Sequence, residues 1–173
     1  MPPQTANLFL LRDLDDRSRT SDLSESELSA LRTVADWIQT FVALPHKDLG
    51  RAGPVCPFVP RALEHNTLWL APERIAKRSV EDVVQLVNGY RALLLRAQPV
   101  EGDEAKNKAI VVVLSDVPTD RAADHLADVR IQQLKRLSYA EDGVVLGEFH
   151  ARNEGSATRN PVLQPFKAPC HSC

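Results

Sequence analysis

Three places in the sequence carry side chains able to do chemistry. The first is Cys56, in the run Gly53-Pro54-Val55-Cys56-Pro57-Phe58-Val59-Pro60. A thiol between prolines in a stiff loop can ligate haem iron as thiolate, act as a nucleophile, or fill the core, since free cysteines are among the most buried residue types. Pro57 has no N–H to compete for the sulfur. Reactivity would require electropositive, partly exposed surroundings, which a sequence does not display. The second place is His150, closing Gly147-Glu148-Phe149-His150. Ligand crevices in open α/β sheets lie outside the C-terminal ends of strands, so a strand-end histidine is well placed to work. Arg152, Asn153, Glu154 and Asn160 follow it as a dense set of donors and acceptors, and Gly155 frees the backbone to approach a ligand. The competing reading is a half-exposed loop histidine. His46 and His65, flanking the Pro-rich run, read as loop or capping residues. The third place is the tail, Cys170-His171-Ser172-Cys173. C-x-x-C is a metal or redox spacing, but a structural zinc takes four ligands and a redox pair opens a helix. Only Cys56 or His150 could complete such a set, so no metal site is expected. Asp116, between a strand and a helix, could serve a metal but more commonly such a residue caps a turn. No G-x-S-x-G, G-x-G-x-x-G, Walker loop or H-E-x-x-H is present.

These residues must be held by elements that the patterning outlines. Ser24 and Glu27 form a capping-box pattern, and Leu28, Leu31, Val34, Ala35, Ile38, Phe41 and Val42 recur at helical spacing. They predict a helix over Glu25–Ala43. Prolines at 45, 54, 57 and 60 forbid helix through the next stretch, and Thr67–Ala71 reads as a short strand. Ser79 caps a second helix, with Glu81 and Asp82 at its positive end and Val83, Val84, Leu86, Val87, Tyr90, Leu93 and Leu94 on its apolar side. Ala109–Asp116 opens on a continuous apolar, largely β-branched run, as for a central strand covered on both faces. A third helix is expected from Thr119 or Asp120, with Leu126, Val129, Gln133 and Leu137 on one stripe, and a last strand over Val144–His150. The order α-β-α-β-α-β predicts a small layered α/β or α+β domain of about three strands and three helices, with room for parallel crossovers. Residues 1–22 are expected as a loose arm, 23–169 as a single globular domain and 170–173 as a disordered tail.

Composition sets the outer limits. At 173 residues, 43% hydrophobic and 25% charged, the chain suits one domain with a real core. The net charge of -2 is spread evenly, without the basic tract of a nucleic-acid or anionic-membrane binder. The opening residues lack a basic n-region, and no apolar run approaches the roughly 20 residues of a membrane span. Three cysteines, an odd number, argue against a disulfide framework, so a cytoplasmic protein is expected. Its partner would be a small molecule, and a homo-oligomer is compatible with the composition.

Leu44–Leu63, Asn66–Ala71 and the run from Gly143 to Pro169 together resemble a mainly actinobacterial domain family of unknown function, across roughly Pro45 to Pro169. G-x-V-C-P-F-V-P and G-E-F-H are the specific elements. The layout is similar, more weakly, to YqcI/YcgG-type proteins, some of which are haem-dependent oxygenases that N-hydroxylate guanidino groups. That resemblance implies a haem pocket built by Cys56 and His150, one as axial ligand and the other shaping the pocket. A thiolate would push electrons toward O–O cleavage, whereas histidine suits binding or peroxidase-like activation. Arg152, Asn153 and Asn160 would hold an anionic or amide group of a small polar metabolite. The family pattern also implies a further apolar strand after Phe166-Lys167-Ala168-Pro169, where this sequence has Cys-His-Ser-Cys. The alternative class is a non-enzymatic binding or accessory domain in which Cys56 is structural.

Overall fold

Ser24 opens the first long helix as its spacing to Glu27 predicts. Its hydroxyl accepts from the Glu27 N–H, and the Glu27 carboxylate accepts from the Ser24 N–H at 2.9 Å. In this computed structural model, residues 7–118 and 131–168 are described, the second range with side chains from Leu134. A short α1, Arg17–Thr20, precedes this helix, α2, Glu25–Trp37. The chain then widens into one π turn, Ile38–Val42, closed by the Ala43 N–H donating to the Ile38 carbonyl at 2.8 Å. The predicted extent to Ala43 therefore holds, with a looser pitch in the last turn.

The sheet is a parallel pair. β1, Leu68–Glu73, runs beside β2, Ala109–Leu114, with Leu68 opposite Ala109 and Glu73 opposite Leu114. Parallel neighbours need a long crossover. A short α3, Val59–Glu64, leads into β1, and α4, Val80–Arg96, supplies the crossover, its Ser79 and Asp82 forming a second capping box. Side chains alternate across a strand. Leu68, Leu70, Val111 and Val113 join Leu31, Val34 and Ile38 of the α2 side in one cluster. Ala71, Ile110, Val112 and Leu114 join Val83, Leu86 and Tyr90 of α4 in the other. The result is a mixed α/β domain, with five α-helices and a two-stranded parallel sheet among the described residues.

Several expectations change. β2 is not central: Phe9 bridges Leu70 on the far side of β1, so β1 is the inner strand. No strand borders the other edge of β2 among the described residues, and Ile110 to Val112 are only half-buried. Continuous apolar character had suggested cover on both faces, but here it serves two thin layers beside an edge. The strand expected over Val144–His150 is not formed. Val145 is exposed beside the buried Val144, and Glu148 is drawn to Lys135 at 3.1 Å, so side-chain contacts place this segment without a ladder. The arm expected to be loose is tied in from Leu8 on, because Phe9 and Leu14 are buried in the α2-side cluster.

The third expected helix is described as α5, Ile131–Asp142; its expected start and the positions of Leu126 and Val129 lie outside the described residues. Leu137 faces water, whereas Leu134 and Ser138 turn inward, one position round from the expected stripe. Arg91 of α4 fixes that rotation by pairing with both Glu141 and Asp142. No helix among the described residues is long and apolar enough to cross a membrane.

Candidate functional site

Cys56 is placed by backbone pairing at the end of the π turn. The Val55 N–H donates to the Leu44 carbonyl at 2.9 Å and the Cys56 N–H to the Val42 carbonyl at 3.0 Å, next to a Pro45–Pro54 bridge. The prolines thus sit where their missing N–H groups cost nothing, and Pro60 falls in the first turn of α3. The half-buried thiol packs against the α2-side apolar cluster.

His150 is buried, with 8% of its surface exposed, and its Nδ1 has no hydrogen-bond partner among the described residues. Burial holds its pKa below the usual imidazole value; Glu148 opposes that shift and Arg152 adds to it. The ring is therefore neutral near pH 7. Phe149 anchors the segment edge-on to Trp37 at 5.5 Å and packs 5.7 Å from Phe166. After His150 the chain turns, the Asn153 N–H donating to the His150 carbonyl at 3.0 Å.

The two asparagines brace this loop. Asn153 donates to the Glu148 carbonyl at 3.0 Å and accepts from the Gly155 N–H at 2.8 Å. Asn160 donates to the Asp48 carbonyl at 2.7 Å and accepts from the Val162 N–H at 3.0 Å. Each amide thus spends its oxygen and one N–H on the fold. Arg152 is exposed on the loop surface.

A depressed folded-state pKa for His150 has a consequence for stability. As pH falls through about 6.5, the unfolded chain takes up a proton that the folded chain resists, so this group loses stability toward acid. Melting temperatures of the parent and His150→Gln should therefore draw together or cross between about pH 7.5 and 5.5, the parent falling faster. Curves that stay parallel would show His150 to be as readily protonated as an exposed histidine.

The Cys56 segment and the His150 loop meet. Besides the Asn160–Asp48 hydrogen bond, Arg159 comes so close to Gly50 that a Cβ there would lie 3.0 Å from the Arg159 Cβ. Gly50 also has φ 73°, the left-handed region that favours glycine, so both its shape and its size are required. Between the segments is a cavity of about 340 Å³, lined on one side by Leu49, Arg51 and Val55 and on the other by Ser156–Arg159 with Phe166. Arg51 is held by donating to the Ala52 and Val55 carbonyls, each at 3.0 Å. A second cavity of about 450 Å³ is lined by Ala151–Glu154, Gln164 and Lys167. Neither cavity is bordered by Cys56 or His150.

Elsewhere the single-residue candidates have structural partners. Asp116 accepts from the Ile75 and Ala76 N–H groups at 2.8 and 3.1 Å, bracing the turn after β1. His46 accepts the Asp48 N–H at 3.2 Å and caps a one-turn 3-10 helix, while His65 caps the end of α3. No group of three or more His, Cys, Asp or Glu side chains is placed to hold a metal ion among the described residues. Residues 170–173 of the C-x-x-C tail lie outside them. Arg51, Ser156, Thr158 and Arg159 carry no motif, and nothing in their local sequence marks them. Their association depends on contacts between segments over 100 residues apart, such as Asn160 with Asp48 at a separation of 112.

The class this defines is a small α/β domain whose candidate site is a loop junction at one face of a parallel β-α-β unit. The profile of a domain family of unknown function, DUF6875, matches residues 31–171, and the chain belongs to that family. The match includes both docked segments, whereas Phe9 and Leu14, which complete the core, precede it. No curated protein and no solved structure matches the chain.

Proposed function

We propose that the domain binds a small polar metabolite where the loop of residues 150–168 docks on the Pro-rich segment, as a non-enzymatic binding or accessory module of the cytoplasm. The observation that carries this reading is the junction at Gly50. Two distant segments are brought together there at a glycine-only approach, and a cavity of about 340 Å³ remains between them. That volume is at the lower end of the range for small-molecule sites, roughly 300–1,000 Å³. Arg152, Asn153 and Asn160 contribute by shaping and charging the loop rather than by forming one cluster. Cys56 serves as scaffold.

A haem-dependent oxygenation is the second reading, favoured by one observation. His150 is a buried, neutral imidazole whose Nδ1 is unpartnered among the described residues, and neutral imidazole is the form that ligates haem iron. A macrocycle also needs a broad apolar slot beside that nitrogen. The two cavities described carry Arg, Lys and hydroxyl side chains, and neither touches His150 or Cys56. Among the described residues, those lining these two cavities do not fit the group, and no step is assigned to it.

Amide NMR spectra of the full chain, titrated with a panel of small anionic, cationic and neutral metabolites, test the first reading. Saturable shifts are expected in residues 49–55 and 150–168. A panel that leaves both segments unmoved would defeat it, and a Soret band at one haem per chain, lost in His150→Ala, would replace it with the second.

A further inference from the structure

We infer that the junction cavity takes a small organic anion, a carboxylate or phosphate monoester attached to an apolar body; this rests on the binding reading above and names its ligand class. Two guanidinium-bearing residues, Arg51 and Arg159, line the cavity, and among the described residues no Asp or Glu does. That balance repels a cation such as a guanidino compound and attracts an anion. Arg51 is already ordered: two of its N–H groups are spent on the Ala52 and Val55 carbonyls. A guanidinium has five donors, so three remain for a ligand at little further cost in side-chain entropy. Arg159 is exposed and lines the cavity, and its guanidinium has no hydrogen-bond or ion-pair partner among the described residues.

Ser156 and Thr158 add hydroxyls that can donate to an oxyanion. The opposite character comes from Leu49, Val55, Pro165 and Phe166. Phe166 is 40% exposed although its ring packs against Phe149, so one surface of an aromatic side chain is left facing the cavity side of the loop. A charged end and an apolar end in one cavity suit a ligand that has both. Inorganic phosphate would use only the first, and a neutral ring only the second.

The test uses full-length protein and four probes followed by amide NMR: phenyl phosphate, benzoate, inorganic phosphate and benzyl alcohol. Phenyl phosphate or benzoate should give saturable shifts at Gly50, Arg51, Ser156–Arg159 and Phe166, with affinity at least about ten-fold above the other two probes. Whichever of the pair binds more tightly identifies the anionic group. Losing one charge-assisted contact should weaken that binding about ten- to a hundred-fold in Arg159→Ala, with little change in melting temperature because alanine keeps the Cβ and backbone that meet Gly50. Shifts that ignore the Arg159→Ala change, or that fall on residues 151–154 and Lys167, would overturn the junction cavity while leaving the loop a binding element. Silence from all four probes, with saturable shifts from another compound in the wider panel, would overturn the ligand class alone.

Discussion

Val113→Asp should unfold the domain or cost it at least about 4 kcal/mol, whereas Val112→Asp, one residue earlier in β2, should cost only about 1–2 kcal/mol. Val113 is fully buried and sits in the cluster with Leu31, Val34 and Leu70, each also without exposed surface. A carboxylate placed there would be stripped of water with no partner, the most expensive of single-residue changes. Val112 points to the opposite face, beside α4, and is only half-buried on a strand whose outer edge is open among the described residues. An aspartate there can turn toward water. Urea denaturation of the two variants measures the difference. Equal losses would mean that β2 is covered on both faces after all.

Asp116→Ala should cost about 2–3 kcal/mol, a large effect for a polar residue. Its two carboxylate oxygens each accept a backbone N–H, from Ile75 and Ala76, and Ile75 itself is buried in the α4-side cluster. Removing the acceptors leaves a part-buried donor unpaired and frees the turn that carries the chain from β1 to α4. Asp116→Asn keeps one acceptor oxygen and should lose about half as much. Thermal melting gives the size, and faster hydrogen exchange at the Ile75 amide gives the place. A loss confined to Asp116→Ala within about 0.5 kcal/mol of zero would show that water satisfies both donors.

The same network explains why the candidate site is not at the C-terminal ends of the parallel strands, where crevices open in larger sheets. Glu73, the last residue of β1, accepts from the buried Tyr90 hydroxyl at 2.7 Å and pairs with Arg78 at 2.9 Å. Burial, together with Glu73, pushes the Tyr90 pKa up and keeps the hydroxyl protonated as a donor. With Asp116 turned onto the backbone, both carboxylates described at these strand ends are committed to the protein's own donors. The open cavities lie instead on the loops.

Local physics made much of this fold legible in the sequence. The Ser24–Glu27 and Ser79–Asp82 boxes need only residues three apart, and each marks a helix start correctly. The strand β2 follows from an apolar, β-branched run and β1 from a short apolar run after the Pro-rich stretch, and the parallel pairing from the helix-length connection between them. What the sequence could not carry is set by contacts between distant segments. The Val144–His150 run has strand-like residues, yet whether it pairs depends on a neighbouring edge, and the pull of Lys135 on Glu148 and of Trp37 on Phe149 places it otherwise. Leu137 and Leu134 offer α5 equally apolar faces, and the choice between them falls to Arg91 on another helix. The site shows the same division. His150 and Cys56 stand out by residue type alone, but type says nothing of where a cavity forms. Arg51 and Arg159 face one cavity because Gly50, lacking a Cβ, lets two segments touch across the length of the domain, and that closeness exists only once the chain has folded.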